Sequence, residues 1–341
     1  MSQAQVNGGH FAAAVETMLS LLKLTPTNDA VAKLLVGMLM GRGEYAQALP
    51  VLDALVVRLP EDADVRAQLG IAQMKTGKIT EGKATLVAAL PNANDSEILN
   101  SGSYELADAG IELEAAEKSG RKAVDLLTAE SADWTPGQSI RLQPAKQQVM
   151  VAAWDTLGWA IYKEGRVDEA EGYIRAAWLN GQQPEEGLHL GEIQEKQGHD
   201  EAALKVYEMA VENLRHDMSK DSTKKLDPVA EKLHERVDAL RKKGTKSGRI
   251  DAKAGLQKLR TLPVGRSAGR SGFVEYAFVL SGGRAVELQK GMTQGTELAD
   301  GDAMVRKADL GGRTPPGSSA RLLRKGTLNC HSAECEFIVH P

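Results

Sequence analysis

The 341-residue sequence contains few aromatic side chains and no long run of apolar ones. Phenylalanine, tryptophan and tyrosine make up 4% of the residues, which is low for a compact β-sandwich or barrel. No stretch reaches the roughly 18 consecutive apolar residues of a membrane span. The first ten residues also lack the apolar core of a signal peptide. The composition therefore favours a helical array in which alanine and leucine make most of the contacts.

Charge is distributed unevenly along the chain, although the formal net charge is only -4. From Arg215 onward there are 24 lysines and arginines against 15 acidic residues, a net charge of +9, and the preceding residues carry -13. In one interpretation the two halves attract each other within the molecule. In the other, the basic half binds an anionic ligand through Arg241, Lys242, Lys243, Arg321, Arg324 and Lys325. Nucleic-acid binding is not expected.

Residues 154–179 contain apolar side chains at helical spacing in two arms, separated by Gly165 and Arg166. This pattern predicts a hairpin of two helices. Gly158 on the first arm and Ala170 on the second are small, which predicts that the two helices pack closely. A helix pair this short cannot bury its own apolar stripe, so neighbouring hairpins must cover it.

The hairpin resembles a tetratricopeptide repeat, and the resemblance is carried by Trp154, Leu157, Gly158, Ile161, Ala170, Ile174 and Ala177. The pattern recurs along the chain at intervals of about 34 residues. We therefore expect a mainly α fold, a superhelix of tetratricopeptide type followed by a small α+β domain. The expected organisation is a half repeat from His10 and three full repeats within 1–130, an inserted loop at 131–150, two repeats and a capping helix at 151–243, a linker at 244–271, and the small domain at 272–341.

Alternating apolar and polar residues predict four strands in the last domain. They pair as two hairpins, 273–280 with 284–288 and 320–330 with 335–339, and residues 295–308 between them are expected to contain a helix.

Cys330 and Cys335 are the only cysteines, and they flank the four-residue turn of the second hairpin. A disulfide across the hairpin is the first interpretation. A zinc site with His331 and His340 is an alternative, although the usual paired cysteine spacing is missing. A nucleophilic Cys330 with His331 as its base is disfavoured, because adjacent residues of a strand point to opposite faces.

The resemblance to tetratricopeptide repeats implies a groove, lined by the first helix of each repeat, that binds a protein or peptide. The corresponding positions are Lys33, Met40, Ile71, Met74, Glu105, Asp108, Asp155, Trp159 and Tyr162. This mixture suits an extended segment with apolar side chains and some positive charge. In the alternative interpretation, Trp159 and Tyr162 pack against the neighbouring repeat. Trp134, in the inserted loop, is either an exposed anchor for a partner or a plug over the seam between repeats.

The sequence thus predicts a non-catalytic, protein-binding scaffold, with no membrane span and no metal or other cofactor, because no catalytic or ligand set stands out. Residues 153–170 and 322–341 also resemble segments of bacterial multidomain proteins that combine a transglutaminase-like region with tetratricopeptide repeats. This resemblance implies a second function, as a regulatory or substrate-presenting arm of a larger envelope enzyme, and a periplasmic or envelope location for the parent.

Overall fold

The computed structural model describes residues 11–137, 144–218, 228–245, 251–267, 271–295, 298–331 and 334–340. His10, where the predicted half repeat starts, lies outside these ranges. The chain divides into two compact units, Met1–Ala123 and Val124–Pro341, which are described separately. Over the described ranges, no helix has both the length and the apolar character needed to cross a membrane.

The first unit consists of consecutive helical hairpins preceded by a single helix. Its helices are α1 (Phe11–Leu24), α2 (Asp29–Met40), α3 (Tyr45–Arg58), α4 (Ala63–Lys75), α5 (Ile79–Ala89), α6 (Ser96–Asp108) and the start of α7 (Leu113–Ser131). Helix α2 packs on α3 and α4 packs on α5. The Ser103 hydroxyl of α6 donates to the Ala116 carbonyl of α7.

Two local signals recur in this unit every 33 or 34 residues and explain where the hairpins begin and turn. Asn28, Asp62 and Asp95 precede α2, α4 and α6, and each side chain accepts a backbone N–H of the first helical turn. Gly43 and Gly77 adopt φ angles of 74° and 87° in the turns inside the hairpins, a conformation that favours glycine. Capping and turn chemistry thus set the repeat length before packing is considered.

Close contact between α4 and α5 depends on two further glycines. A Cβ atom on Gly82 would lie 2.5 Å from Met74 Cγ and 2.7 Å from the Gly70 carbonyl oxygen. Since real Cβ contacts are not this short, larger residues at these positions would separate the two helices.

The second unit continues with helices and ends in a sheet. After the end of α7 its helices are α8 (Pro144–Lys163), α9 (Val167–Gly181), α10 (Pro184–Lys196), α11 (Asp200–Met218), α12 (Pro228–Lys242) and α13 (Ala252–Arg260). Helices α8 and α9 form one hairpin, α10 and α11 form the next, and α12 packs on α11. A Cβ on Gly158 would lie 2.6 Å from Ile174 Cγ1 and 3.2 Å from the Ala170 carbonyl oxygen, so the close packing of this hairpin is confirmed.

The sheet contains five antiparallel strands in the order β1-β5-β4-β2-β3. The strands are β1 (Thr261–Arg266), β2 (Gly272–Ser281), β3 (Arg284–Gly295), β4 (Leu322–His331) and β5 (Glu334–Val339), and helix α14 (Gly301–Lys307) lies between β3 and β4. Both predicted strand pairs are present. The predicted fold class, helical hairpins of tetratricopeptide type followed by a small sheet region, is confirmed.

The structure corrects two predicted boundaries. The expected linker at 244–271 contains α13 and β1, because Asp251 caps a helix whose Leu256 is buried. The expected loop at 131–150 ends early, since α8 already begins at Pro144.

The sheet also shares one hydrophobic core with the repeat helices of this unit. Trp154 and Ala177 from the helices belong to the same buried cluster as Phe278, Leu322 and Phe337 from the strands. The sheet is therefore packed into the second unit and is not a separate domain that follows a linker.

Candidate peptide-binding surfaces

The polar groove candidates Lys33 and Glu105 take part in ion pairs that link neighbouring hairpins of the first unit. Lys33 Nζ on α2 lies 2.6 Å from the carboxylate of Asp62, with 46% of the lysine side chain exposed. Lys75 Nζ on α4 lies 2.6 Å from the Glu105 carboxylate on α6. Asp108, one turn further along α6, is exposed. The first helices α2, α4 and α6 thus expose Lys33, Lys75 and Asp108, whereas Glu105 is largely buried.

The apolar candidates of the first unit are not available to a ligand in the same way. Ile71 and Met74 are buried, and Met74 lies against Gly82 of α5. Met40 is half-buried and packs against the core of the unit. Ile71 and Met74 therefore fill contacts between helices and are not exposed to a ligand, whereas Met40 keeps a partly exposed side chain.

In the second unit, the candidates on α8 form a continuous stack with a histidine of α10. The Asp155 carboxylate lies 2.8 Å from His189 Nδ1. The Trp159 ring stacks on the His189 ring with centroids 3.9 Å apart and an angle of 14° between the planes. Tyr162 stacks on Trp159 at 5.1 Å and 19°. The stack of Asp155, His189, Trp159 and Tyr162, called here the aromatic ladder, joins two successive hairpins.

Most of the aromatic ladder is inaccessible to a ligand. Trp159 and His189 are 3% exposed and Asp155 is 5% exposed. Burial alone would lower the pKa of His189, but the Asp155 carboxylate outweighs this effect and the pKa is raised. Trp159 and Asp155 are therefore packing residues, and the alternative in which Trp159 contacts the neighbouring repeat is the one observed.

Tyr162, at the outer end of the aromatic ladder, is half-buried. Partial burial raises the pKa of its phenol first, and the charges of Glu192 and Glu195 raise this pKa further against the opposing effect of Arg236. Glu195 is held in place by the Tyr207 hydroxyl at 2.7 Å and by Arg236 Nε at 2.9 Å. Tyr162 thus combines a partly exposed side chain with nearby charges of both signs, the carboxylates of Glu192 and Glu195 and the guanidinium of Arg236.

Trp134 is buried rather than exposed. Its carbonyl oxygen accepts a hydrogen bond from Arg321 Nη2 at 2.8 Å, and the same guanidinium lies 2.6 Å from Glu287. The interpretation of Trp134 as an exposed anchor is corrected, since its ring is enclosed within the second unit.

Cys330 and Cys335 form a disulfide between directly opposed positions of β4 and β5. The predicted disulfide is confirmed, and its two sulfur atoms are unavailable as zinc ligands or as a nucleophile in this state. In the parts of the chain that the structure describes, no group of three or more histidine, cysteine and acidic residues is arranged to hold a metal ion.

The basic residues of α12 form ion pairs with the preceding hairpin. Arg241 lies 2.8 Å from Glu208, and Lys243 pairs with Asp200. Arg321 is engaged with Glu287. These contacts support internal attraction between acidic and basic segments, and they leave fewer cations available for an anionic partner.

Comparisons with known proteins agree with the repeat architecture. Models of the tetratricopeptide repeat match residues 39–100 and residues 188–222. No curated protein matches the sequence, and neither matching model relates the chain to transglutaminase-like proteins.

Two solved structures are similar to this chain at low identity. Yeast Tom70 is 14% identical with a TM-score of 0.43, and the match covers 72% of this chain and 46% of that protein, so the chain spans less than half of its length. A tetratricopeptide repeat protein from Parabacteroides merdae ATCC 43184 is 13% identical with a TM-score of 0.39, covering 70% of this chain and 96% of that one. The two family-model matches fall in different compact units, so both units carry tetratricopeptide repeats.

Proposed function

We propose that this protein is a non-catalytic scaffold that binds a protein or peptide, with the surface around Tyr162 as the main contact of the second unit. The observation that carries the proposal is the partly exposed Tyr162 side chain at the end of the aromatic ladder. Tyrosine is a frequent anchor of protein interfaces, because it combines a large apolar ring with a polar tip.

The aromatic ladder prepares Tyr162 for binding before a ligand arrives. Trp159 is fixed between His189 and Tyr162, and His189 is fixed by the buried Asp155 carboxylate. Less side-chain freedom is then lost on binding, which favours affinity.

The charges around Tyr162 favour a ligand that carries positive charge. Glu192 and Glu195 both raise the pKa of the Tyr162 phenol. Because Glu195 is paired with Arg236, Glu192 is the carboxylate that favours a positively charged ligand. The proposed ligand is an extended segment with apolar side chains and interspersed lysine or arginine.

Fluorescence anisotropy with labelled synthetic peptides tests this proposal on the whole chain. Peptides that alternate leucine with lysine should bind more tightly than peptides that alternate leucine with glutamate. The Tyr162→Ala variant should weaken binding about tenfold or more, as expected for an interface anchor. Lys205→Ala, at an exposed position of α11, is the control and should bind as the unmodified chain does. Equal binding by Tyr162→Ala and by the unmodified chain contradicts the proposed site.

A further inference from the structure

Three arginines of the second unit line one small pocket that is separate from the aromatic ladder. Arg260 comes from the end of α13, Arg313 from the loop before β4, and Arg324 from β4. The remaining polar lining includes Asn180 and Gln182 at the end of α9. The pocket measures about 210 Å³ when the solvent at its mouth is included. The enclosed space is far smaller than this figure, so the pocket can hold no more than a single compact group at its mouth.

Two of the three guanidinium groups have neutral partners. Arg313 donates to the carbonyl oxygens of Leu179 in α9 and Leu259 in α13. Arg260 donates through Nε to the Gln182 side-chain oxygen at 2.7 Å. The helix-end carbonyls and the amide oxygen accept hydrogen bonds, but they do not supply the full negative charge that would balance a cation.

Arg324 is the guanidinium with the least compensation. Its Nε is buried and has no hydrogen-bond partner. Across the described part of the chain, neither Arg324 nor the other two arginines lies in an ion pair with a carboxylate. The Glu186 carboxyl raises the pKa of Arg324 without forming an ion pair with it. This carboxyl accepts a hydrogen bond from the Gln183 backbone N–H, and burial raises its own pKa.

A second donor in the pocket also lacks a partner. The Gln182 side-chain oxygen accepts the hydrogen bond from Arg260, but the buried Gln182 Nε2 makes no hydrogen bond. Two buried N–H donors, one on Gln182 and one on Arg324, and one buried acceptor, Asn180 Oδ1, thus belong to residues that line the same pocket, and none of the three has a hydrogen-bond partner. An unsatisfied buried donor costs about 1–3 kcal/mol, which a bound acceptor would recover.

The guanidinium groups of the pocket lie close enough to lower one another's pKa values. Burial, and then the neighbouring Arg260, lower the pKa of Arg313 to about 10. Burial, and then Arg313, lower the pKa of Arg324 to about 10 against the opposing effect of Glu186. Both side chains remain protonated at neutral pH, so the pocket carries concentrated positive charge.

We propose that the pocket lined by Arg260, Arg313 and Arg324 binds a compact oxyanion of the phosphate class, either free or as the phosphate group of an ester. Guanidinium groups match the oxygen spacing of phosphate, and several of them around one site favour an anion with more than one charge over a carboxylate.

Calorimetric titration of the whole chain with inorganic phosphate tests the site. Chloride at matched ionic strength is the background and acetate is the carboxylate probe. We expect saturable phosphate binding, a rise in unfolding temperature with phosphate concentration, and at least about tenfold weaker binding of acetate. Phenyl phosphate then distinguishes a phosphate ester from free phosphate as the ligand. If it competes with inorganic phosphate, the pocket accepts an ester, and if it does not compete, the pocket takes only the free ion. Acetate binding as tight as phosphate, or no saturable binding, overturns the proposal.

Arg324→Gln should reduce phosphate affinity by about tenfold or more, because it removes a charged donor that has no other partner. Arg284→Gln, which makes the same change of net charge at an exposed position, should leave affinity unchanged. If circular dichroism shows that Arg324→Gln does not fold, Arg324→Lys replaces it. This variant keeps the positive charge but loses the paired N–H donors of the planar guanidinium group, so it should still bind phosphate more weakly. The site is rejected if the Arg324 variant that folds binds phosphate as tightly as the unmodified chain does.

Discussion

The two units join successive helical hairpins in physically different ways. In the first unit, Lys33 with Asp62 and Lys75 with Glu105 cross between hairpins as ion pairs, and the two lysine side chains are 46% and 35% exposed. In the second unit, Asp155 with His189 and the ring of Trp159 cross as a buried stack. Exposed ion pairs contribute little to stability, whereas the loss of one partner from a buried pair is costly. One repeat length therefore supports a solvated surface in one unit and a rigid aromatic seam in the other.

The largest expected effect is at His189. Replacing it with alanine leaves the buried Asp155 carboxylate without its partner and removes the ring beneath Trp159, which should cost about 3–5 kcal/mol. Denaturant unfolding followed by tryptophan fluorescence reports on this unit, because all four tryptophans lie between Trp134 and Trp178. His199→Ala, at an exposed turn, should cost far less, and equal losses would contradict the contrast between buried and exposed positions.

The next largest effect concerns glycines in first helices. Gly158→Ala places a Cβ 2.6 Å from Ile174 Cγ1 and should destabilise the second unit by about 1–3 kcal/mol through overpacking. Gly37→Ala in α2 meets no atom within 4 Å, so it should stabilise the first unit by about 0.5–1 kcal/mol through helix propensity. Thermal unfolding by circular dichroism measures both variants. A loss at Gly37 as large as at Gly158 would show that local packing does not distinguish these helices.

The pH dependence of the aromatic ladder should be smaller. The pKa of His189 is raised in the folded protein, so its contribution is fully present below the unfolded-state value of about 6.5 and is lost as pH rises through the folded value. A tenfold change in proton affinity between the unfolded and folded states corresponds to about 1.4 kcal/mol. Unfolding free energies of the unmodified chain and His189→Gln, measured from mildly acidic to alkaline pH, should converge as pH increases. The difference between the two proteins largely removes the contribution of Glu186, whose pKa burial also raises. If the difference in unfolding free energy between the two proteins grows with pH, the raised pKa of His189 is contradicted.

The smallest expected effect is at Lys33. Because 46% of its side chain is exposed, Lys33→Ala should cost at most about 1 kcal/mol after solvent screening. Unfolding at low and high salt checks the mechanism, since added salt should shrink the difference between the variant and the unmodified chain. A cost as large as that of His189→Ala would remove the contrast between the units.

Much of the local architecture was predictable from residue spacing. Gly158 and Ala170 indicated a close hairpin, and a Cβ at Gly158 would indeed collide with the facing helix. Alternation predicted both strand pairs, and the short turn between Cys330 and Cys335 predicted their disulfide. These features depend on neighbours in sequence or on a fixed period.

The contact partners of individual side chains were harder to predict. Helical periodicity placed Trp159 on a first helix but did not show that it meets His189 of the next hairpin. A signal was present, because Asp155 and His189 are 34 residues apart and occupy equivalent positions of successive repeats. The arginine pocket had no such signal, since Arg260, Arg313 and Arg324 are brought together by the packing of the sheet on α9 and α13.

Site-specific photo-crosslinking tests the proposed binding surface most directly. The whole chain would carry a photo-reactive phenylalanine analogue at position 162 or, as a control, at position 205 of α11, and would be illuminated with the leucine–lysine peptide. We expect saturable crosslinking at position 162 that unlabelled peptide suppresses, and little at position 205. Equal crosslinking at the two positions, or crosslinking at 205 alone, would contradict a binding surface centred on Tyr162.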